Sequence, residues 1–79
     1  MNLVQLAGML PRDATFRAYL CDLASVDDVT PDNAAEYVRT ICEVESRREL
    51  AIDPEAAQRF ETLVRRPFVA WRRQHEVNS

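Results

Sequence analysis

Asp53-Pro54-Glu55-Ala56-Ala57-Gln58-Arg59-Phe60-Glu61-Thr62-Leu63-Val64-Arg65-Arg66-Pro67-Phe68-Val69-Ala70-Trp71 is the stretch that decides the fold. Its opening is a helix start. Asp53 offers a side-chain acceptor to the free backbone N–H groups, and Pro54 takes the first helical position, where a missing N–H removes nothing. Glu55 stands at the positive end of the helix dipole. From there Ala56, Ala57, Phe60, Leu63, Val64, Phe68 and Trp71 recur at helical spacing as one apolar stripe. Pro67 interrupts it. Its ring removes a backbone hydrogen bond and disfavours helical geometry at Arg66, which predicts a last helix kinked at Pro67.

A stripe this long needs other helices to cover it, and the preceding sequence supplies them. Ser46-Arg47-Arg48-Glu49 is a capping box that opens a short helix through Leu50. Thr30-Pro31-Asp32 repeats the cap, proline and acid start, and predicts a helix to about Val44 with Ala34, Val38, Ile41 and Cys42 facing inward. Ser25 to Val29 reads as a loop. Arg12 to Ala24 reads as a helix capped by Asp13, with Phe16, Leu20, Leu23 and Ala24 on one face and Tyr19 at its edge. Asn2 caps a first helix, through Leu10, that carries Leu3, Leu6, Ala7 and Leu10, and Pro11 ends it. The tail from Glu76 to Ser79 is expected to fray.

Composition agrees. There is one glycine in 79 residues and no Asn-Gly or Asp-Gly pair, so tight β-hairpins lack their usual turn residues. The expectation is a single all-α domain over residues 1–79, a compact bundle of four or five short helices.

The same residues exclude most chemistry. With one histidine, His75, and no Cys-x-x-Cys pair, no zinc site is expected. The lone Gly8 rules out a glycine-rich phosphate loop. No nucleophile–base pair is legible, so the chain is expected to be non-catalytic, without cofactor or metal. Cys21 and Cys42 read as reduced packing residues. No apolar run approaches a membrane span and the start has no basic leader, which points to the cytoplasm with no membrane partner.

Charge is unevenly placed. Residues 1–45 hold three arginines and eight acids, whereas residues 46–79 hold seven arginines and five acids. All ten basic residues are arginine, a bias that a GC-rich genome also produces. Arg47 and Arg48 open the second helix of a helix-turn-helix-like segment, 34–50, and would face guanine edges or phosphates. Glu43 and Glu45 in the turn oppose that reading. Arg65, Arg66, Arg72 and Arg73 interleave with Phe68 and Trp71 across 65–73, the composition of a single-stranded nucleic-acid platform. Against it, Phe68 and Trp71 also complete the core stripe while the arginines point to water. Asp22, Asp27, Asp28, Asp32 and Glu36 form an acidic N-terminal group suited to a basic protein groove. Leu3, Leu6 and Leu10 would serve a dimer if the first helix were left uncovered.

The runs Ile41 to Leu50, Asp53 to Phe60 and Arg65 to Trp71 together resemble small bacteriophage and prophage proteins encoded among early genes for recombination, replication or host takeover. The likeness covers roughly the C-terminal half, and such relatives often carry glycine where this chain has Glu43. The resemblance implies a phage accessory factor and carries over no functional residue. The expectation is a monomeric or homodimeric accessory protein that binds a protein partner and modulates nucleic-acid machinery or a host defence system. The alternative is a nucleic-acid-binding factor that uses Arg47, Arg48, Arg65, Arg66, Arg72 and Arg73.

Overall fold

Asn2, Asp13, Thr30, Ser46 and Asp53 each accept a backbone N–H at the start of a helical segment, and so fix where the segments begin. The computed structural model describes residues 2–77. Helix α1 spans Leu3–Met9, α2 Ala14–Ala24 and α3 Pro31–Cys42. Helix α4 (Pro54–Arg59) runs through a π-helical segment, Phe60–Arg65, into α5 (Arg66–Val77). Short 3₁₀ segments, Leu10–Arg12 and Arg47–Ala51, connect these helices, and the described residues contain no strand. The all-α bundle has four helical bodies if α4 to α5 is counted once and five if it is divided.

One helix end differs from expectation, and α2 ends at Ala24 as expected. Helix α3 stops at Cys42, short of Val44, because Glu43 adopts a left-handed conformation with φ 59°. Val44 N–H then reaches the Arg39 carbonyl at 3.0 Å and Glu43 N–H the Thr40 carbonyl at 3.2 Å. This is the Schellman closure, which glycine usually makes. Ser25, with φ 57°, closes α2 in the same way through Val26 N–H and the Cys21 carbonyl. Arg12 falls in the 3₁₀ segment before α2, not in α2 itself.

Phe16, Tyr19, Leu20, Ala34, Val38, Cys42, Phe60, Val64 and Phe68 form the centre of one hydrophobic core. Phe16 and Phe68 meet edge to face, with centroids 5.1 Å apart, and Tyr19 packs on both. Tyr19 is therefore a core residue and not an edge residue. Leu23, Ala24 and Leu63, expected to face inward, are exposed, with Leu23 at 56% and Leu63 at 42%. Leu63 is displaced because the π segment widens the turn on which it sits. Leu10 is buried and Leu3 and Leu6 pack on the core, so α1 is covered by its own domain and offers no leucine face for a dimer.

Pro67 acts one turn earlier than expected. Arg66 keeps right-handed helical angles, φ −61° and ψ −48°, and its N–H bonds the Glu61 carbonyl five residues back. The wider π turn makes room for the proline ring, which in a regular helix collides with the carbonyl four residues before it. The last helix carries its wide turn there, consistent with the expected bend, and runs on to Val77. Its helical backbone includes Glu76 and Val77, where fraying was expected; the rest of that expected tail, Asn78 and Ser79, lies outside the described residues. No helix among the described residues is long and apolar enough to cross a membrane.

Candidate functional site

The second element of the helix-turn-helix-like segment is the 3₁₀ segment Arg47–Ala51, with Leu50 buried. Glu49 closes the capping box by accepting from the Glu45 and Ser46 N–H groups at 2.8 and 2.9 Å. A five-residue 3₁₀ segment anchored this way is a tight corner and not the recognition helix that was one reading of residues 34–50.

The aromatic residues of 65–73 are also committed. Phe68 is buried in the core, and the Arg72 guanidinium lies over its ring at 5.4 Å. Trp71 Nε1 donates to Asp22 at 3.0 Å, and the His75 ring stacks on the indole with centroids 3.9 Å apart. Neither Phe68 nor Trp71 offers a bare face to a nucleobase, so the segment is no stacking platform.

Seven of the arginines border adjoining hollows. Arg12, Arg39 and Arg47 line a cleft of about 380 Å³ together with Gly8, Pro11, Asp32 and Glu45. Arg12 and Arg47 also border a shallow hollow that ends at Met9. Met9 borders a third hollow with Arg65, Arg72 and Asp13, and Arg65 leads on to a fourth with Arg66, Arg73 and Glu61. These shared residues make one continuous band. It carries seven arginines against four carboxylates, while the rest of the chain carries three against nine. Of the six arginines singled out in the sequence, five lie on the band and Arg48 does not line any of these hollows. Asp32, from the acidic N-terminal group, sits in the cleft among arginines, and Asp22 is bound to Trp71, so that group is divided.

Within the band Arg65 pairs with Glu61 at 2.7 Å. Arg12, Arg39, Arg47, Arg66 and Arg73 make no ion pair or side-chain hydrogen bond to a described residue. Arg59 is the contrast. Its Nε donates to the Cys42 carbonyl at 2.7 Å and lies 3.6 Å from Glu43. Arg59 joins α4 to the end of α3.

Sequence reasoning missed Arg12, Arg39 and Gly8. One signal was available. Glycine is about 1 kcal/mol less favourable than alanine inside a helix, and the chain's sole glycine stands inside α1 without a positive φ. A Cβ at Gly8 would lie 1.9 Å from Arg47 Nη1, so the missing side chain is what lets that guanidinium lie against the helix.

The thiols are unremarkable chemically. Burial pushes the Cys42 thiol up and the Arg59 charge offsets this only in part. Cys21 is half-buried, and both cysteines are free. The described residues contain no group of metal-ligating side chains. Comparison with protein-family models, with curated proteins and with solved structures found no match.

Proposed function

We propose that this chain is a small, non-catalytic accessory protein that binds a partner protein through the arginine band. The observation that carries this reading is the band's mixed character. Arg47, Arg65, Arg66, Arg72 and Arg73 alternate with Asp13, Asp32, Glu45 and Glu61 and with the exposed thioether of Met9, 53% accessible. Arginine and methionine are favoured at protein interfaces, and interspersed charges of both signs fix register on a complementary surface. A phosphate backbone would meet four carboxylates along the same path. The resemblance of the C-terminal half to phage early-region proteins supports a partner in nucleic-acid machinery or host defence, and a cytoplasmic setting.

The second reading is a nucleic-acid-binding factor, favoured by the arginines of the band that have no partner. One experiment separates the two. Fluorescence anisotropy with labelled single- and double-stranded DNA and RNA, at low and physiological salt, is expected to show no binding that survives physiological salt. Cross-linking in lysate is expected to capture a protein that Arg66→Glu/Arg73→Glu loses and Arg48→Glu keeps. Tight nucleic-acid binding with a steep salt slope would transfer the function to the second reading. Capture unaffected by Arg66→Glu/Arg73→Glu would remove the band from the account.

A further inference from the structure

The cleft at one end of the band has a construction that the rest of the band lacks. Its three arginines come from separate elements: Arg12 from the 3₁₀ turn after α1, Arg39 from α3 and Arg47 from the corner before α4. Packing of α1 against that corner and against α3 brings them together. Three guanidinium groups around one concavity repel one another, and none has an ion-pair partner among the described residues. Glycine stands inside α1, against helix propensity, where a methyl group would collide with Arg47 Nη1. Asp32 and Glu45 line the same cleft.

We propose that this cleft binds a phosphorylated small molecule bearing hydroxyl groups. The phosphoryl group sits among Arg12, Arg39 and Arg47, whose planar donor forks match its oxygens. Asp32 and Glu45 accept hydrogen bonds from the hydroxyls. The same two carboxylates make the cleft inhospitable to a continuous phosphate backbone. A volume of about 380 Å³ lies in the range of small-ligand pockets. This inference is independent of what the rest of the band binds.

The test is a titration of the whole chain, followed by ¹⁵N–¹H correlation spectra at constant ionic strength, with ribose 5-phosphate, inorganic phosphate and ribose as probes. Ribose 5-phosphate is expected to shift the amides of Gly8, Arg12, Arg39, Ser46 and Arg47 and to bind roughly tenfold tighter than inorganic phosphate; ribose should shift nothing. Arg12→Gln/Arg47→Gln should weaken ribose 5-phosphate by about tenfold or more. Gly8→Ala keeps every arginine and favours the helix, yet displaces Arg47, and should weaken binding several-fold in a protein that is still folded. Absence of shifts, shifts spread equally to Arg66 and Arg73, or affinity unchanged in both variants would overturn the site. Equal affinity for inorganic phosphate and ribose 5-phosphate would overturn the role given to Asp32 and Glu45.

Discussion

At the joint between α3 and α4, Arg59 donates to the Cys42 carbonyl and stands 3.6 Å from Glu43 and 3.9 Å from Glu55. Beside α1, Arg12, Arg39 and Arg47 surround a cleft with no such partner. The residue type is the same and its use is opposite. At the joint a guanidinium satisfies a helix-end carbonyl that would otherwise lack a donor, and the element around it is fixed. At the cleft the donors remain available, and a glycine leaves room for one of them, Arg47. An arginine count therefore says little about binding until each arginine's local partners are known.

Five variants and one pH titration test that contrast. The largest effect is expected at the joint, where Phe60 is fully buried beside Arg59. Phe60→Ala should destabilise by about 3–5 kcal/mol through the cavity it leaves, read from urea unfolding. A near-normal midpoint would show that the core is not centred on the stripe. Arg59→Ala should remove about 1–3 kcal/mol, because the Cys42 carbonyl loses its side-chain donor. The same change at Arg39 in the cleft should fall within about 0.5 kcal/mol of the parent. Similar losses at Arg59 and Arg39 would erase the distinction between joint and cleft.

Smaller effects sharpen it. Arg65→Ala/Arg72→Ala should leave the fold intact with a loss of about 1 kcal/mol, from the exposed pair to Glu61 and the contact over Phe68. Glu43→Gly should stabilise by about 0.5–1 kcal/mol. It removes the strain of a side chain at left-handed φ and gives up only an exposed ion pair. A Tm that falls in that variant would mean that the Glu43–Arg59 contact outweighs the strain.

The last prediction concerns pH. Burial raises the Cys42 thiol and the Tyr19 and Tyr37 hydroxyls above their ordinary values of 9.0 and 10.0, so the folded state holds these protons longer than the unfolded chain does. Their contribution to stability is whole below the ordinary values and is lost as pH rises through the raised ones. Tm should be level at neutral pH and decline above about pH 9. No decline on the alkaline side would show that these groups are not protected.

Helix starts were legible because each depends on a side chain next to the backbone it serves. Asn2, Asp13, Thr30, Ser46 and Asp53 were all read from local spacing and all cap. The end of α2 at Ala24 was read as well, but the end of α3 at Glu43 was not, since the usual glycine signal is absent there and Val44 beyond it is buried. The burial of Tyr19 and the exposure of Leu63 were also hidden. One depends on Phe68 lying across from α2, the other on a π turn that periodicity at 3.6 residues does not contain. For the candidate face, Arg65, Arg66, Arg72 and Arg73 were visible as a cluster in sequence. Arg12, Arg39 and Arg47 were not, because they meet only through the fold.

The π segment also bears on how this chain tolerates insertions and deletions. A π turn behaves as one residue inserted into an α-helix. Losing a single residue between Glu61 and Arg65 would restore a regular ladder up to Pro67 with the later residues nearly in phase, but it would bring the proline ring back against the carbonyl four residues before it. Phe68 would keep its place by Phe16 and Trp71 its bond to Asp22 only in a chain that had also replaced Pro67. The extra residue between Phe60 and Phe68 and the proline that follows it are thus a matched pair. A homologous chain that lacks the extra residue should also lack the proline.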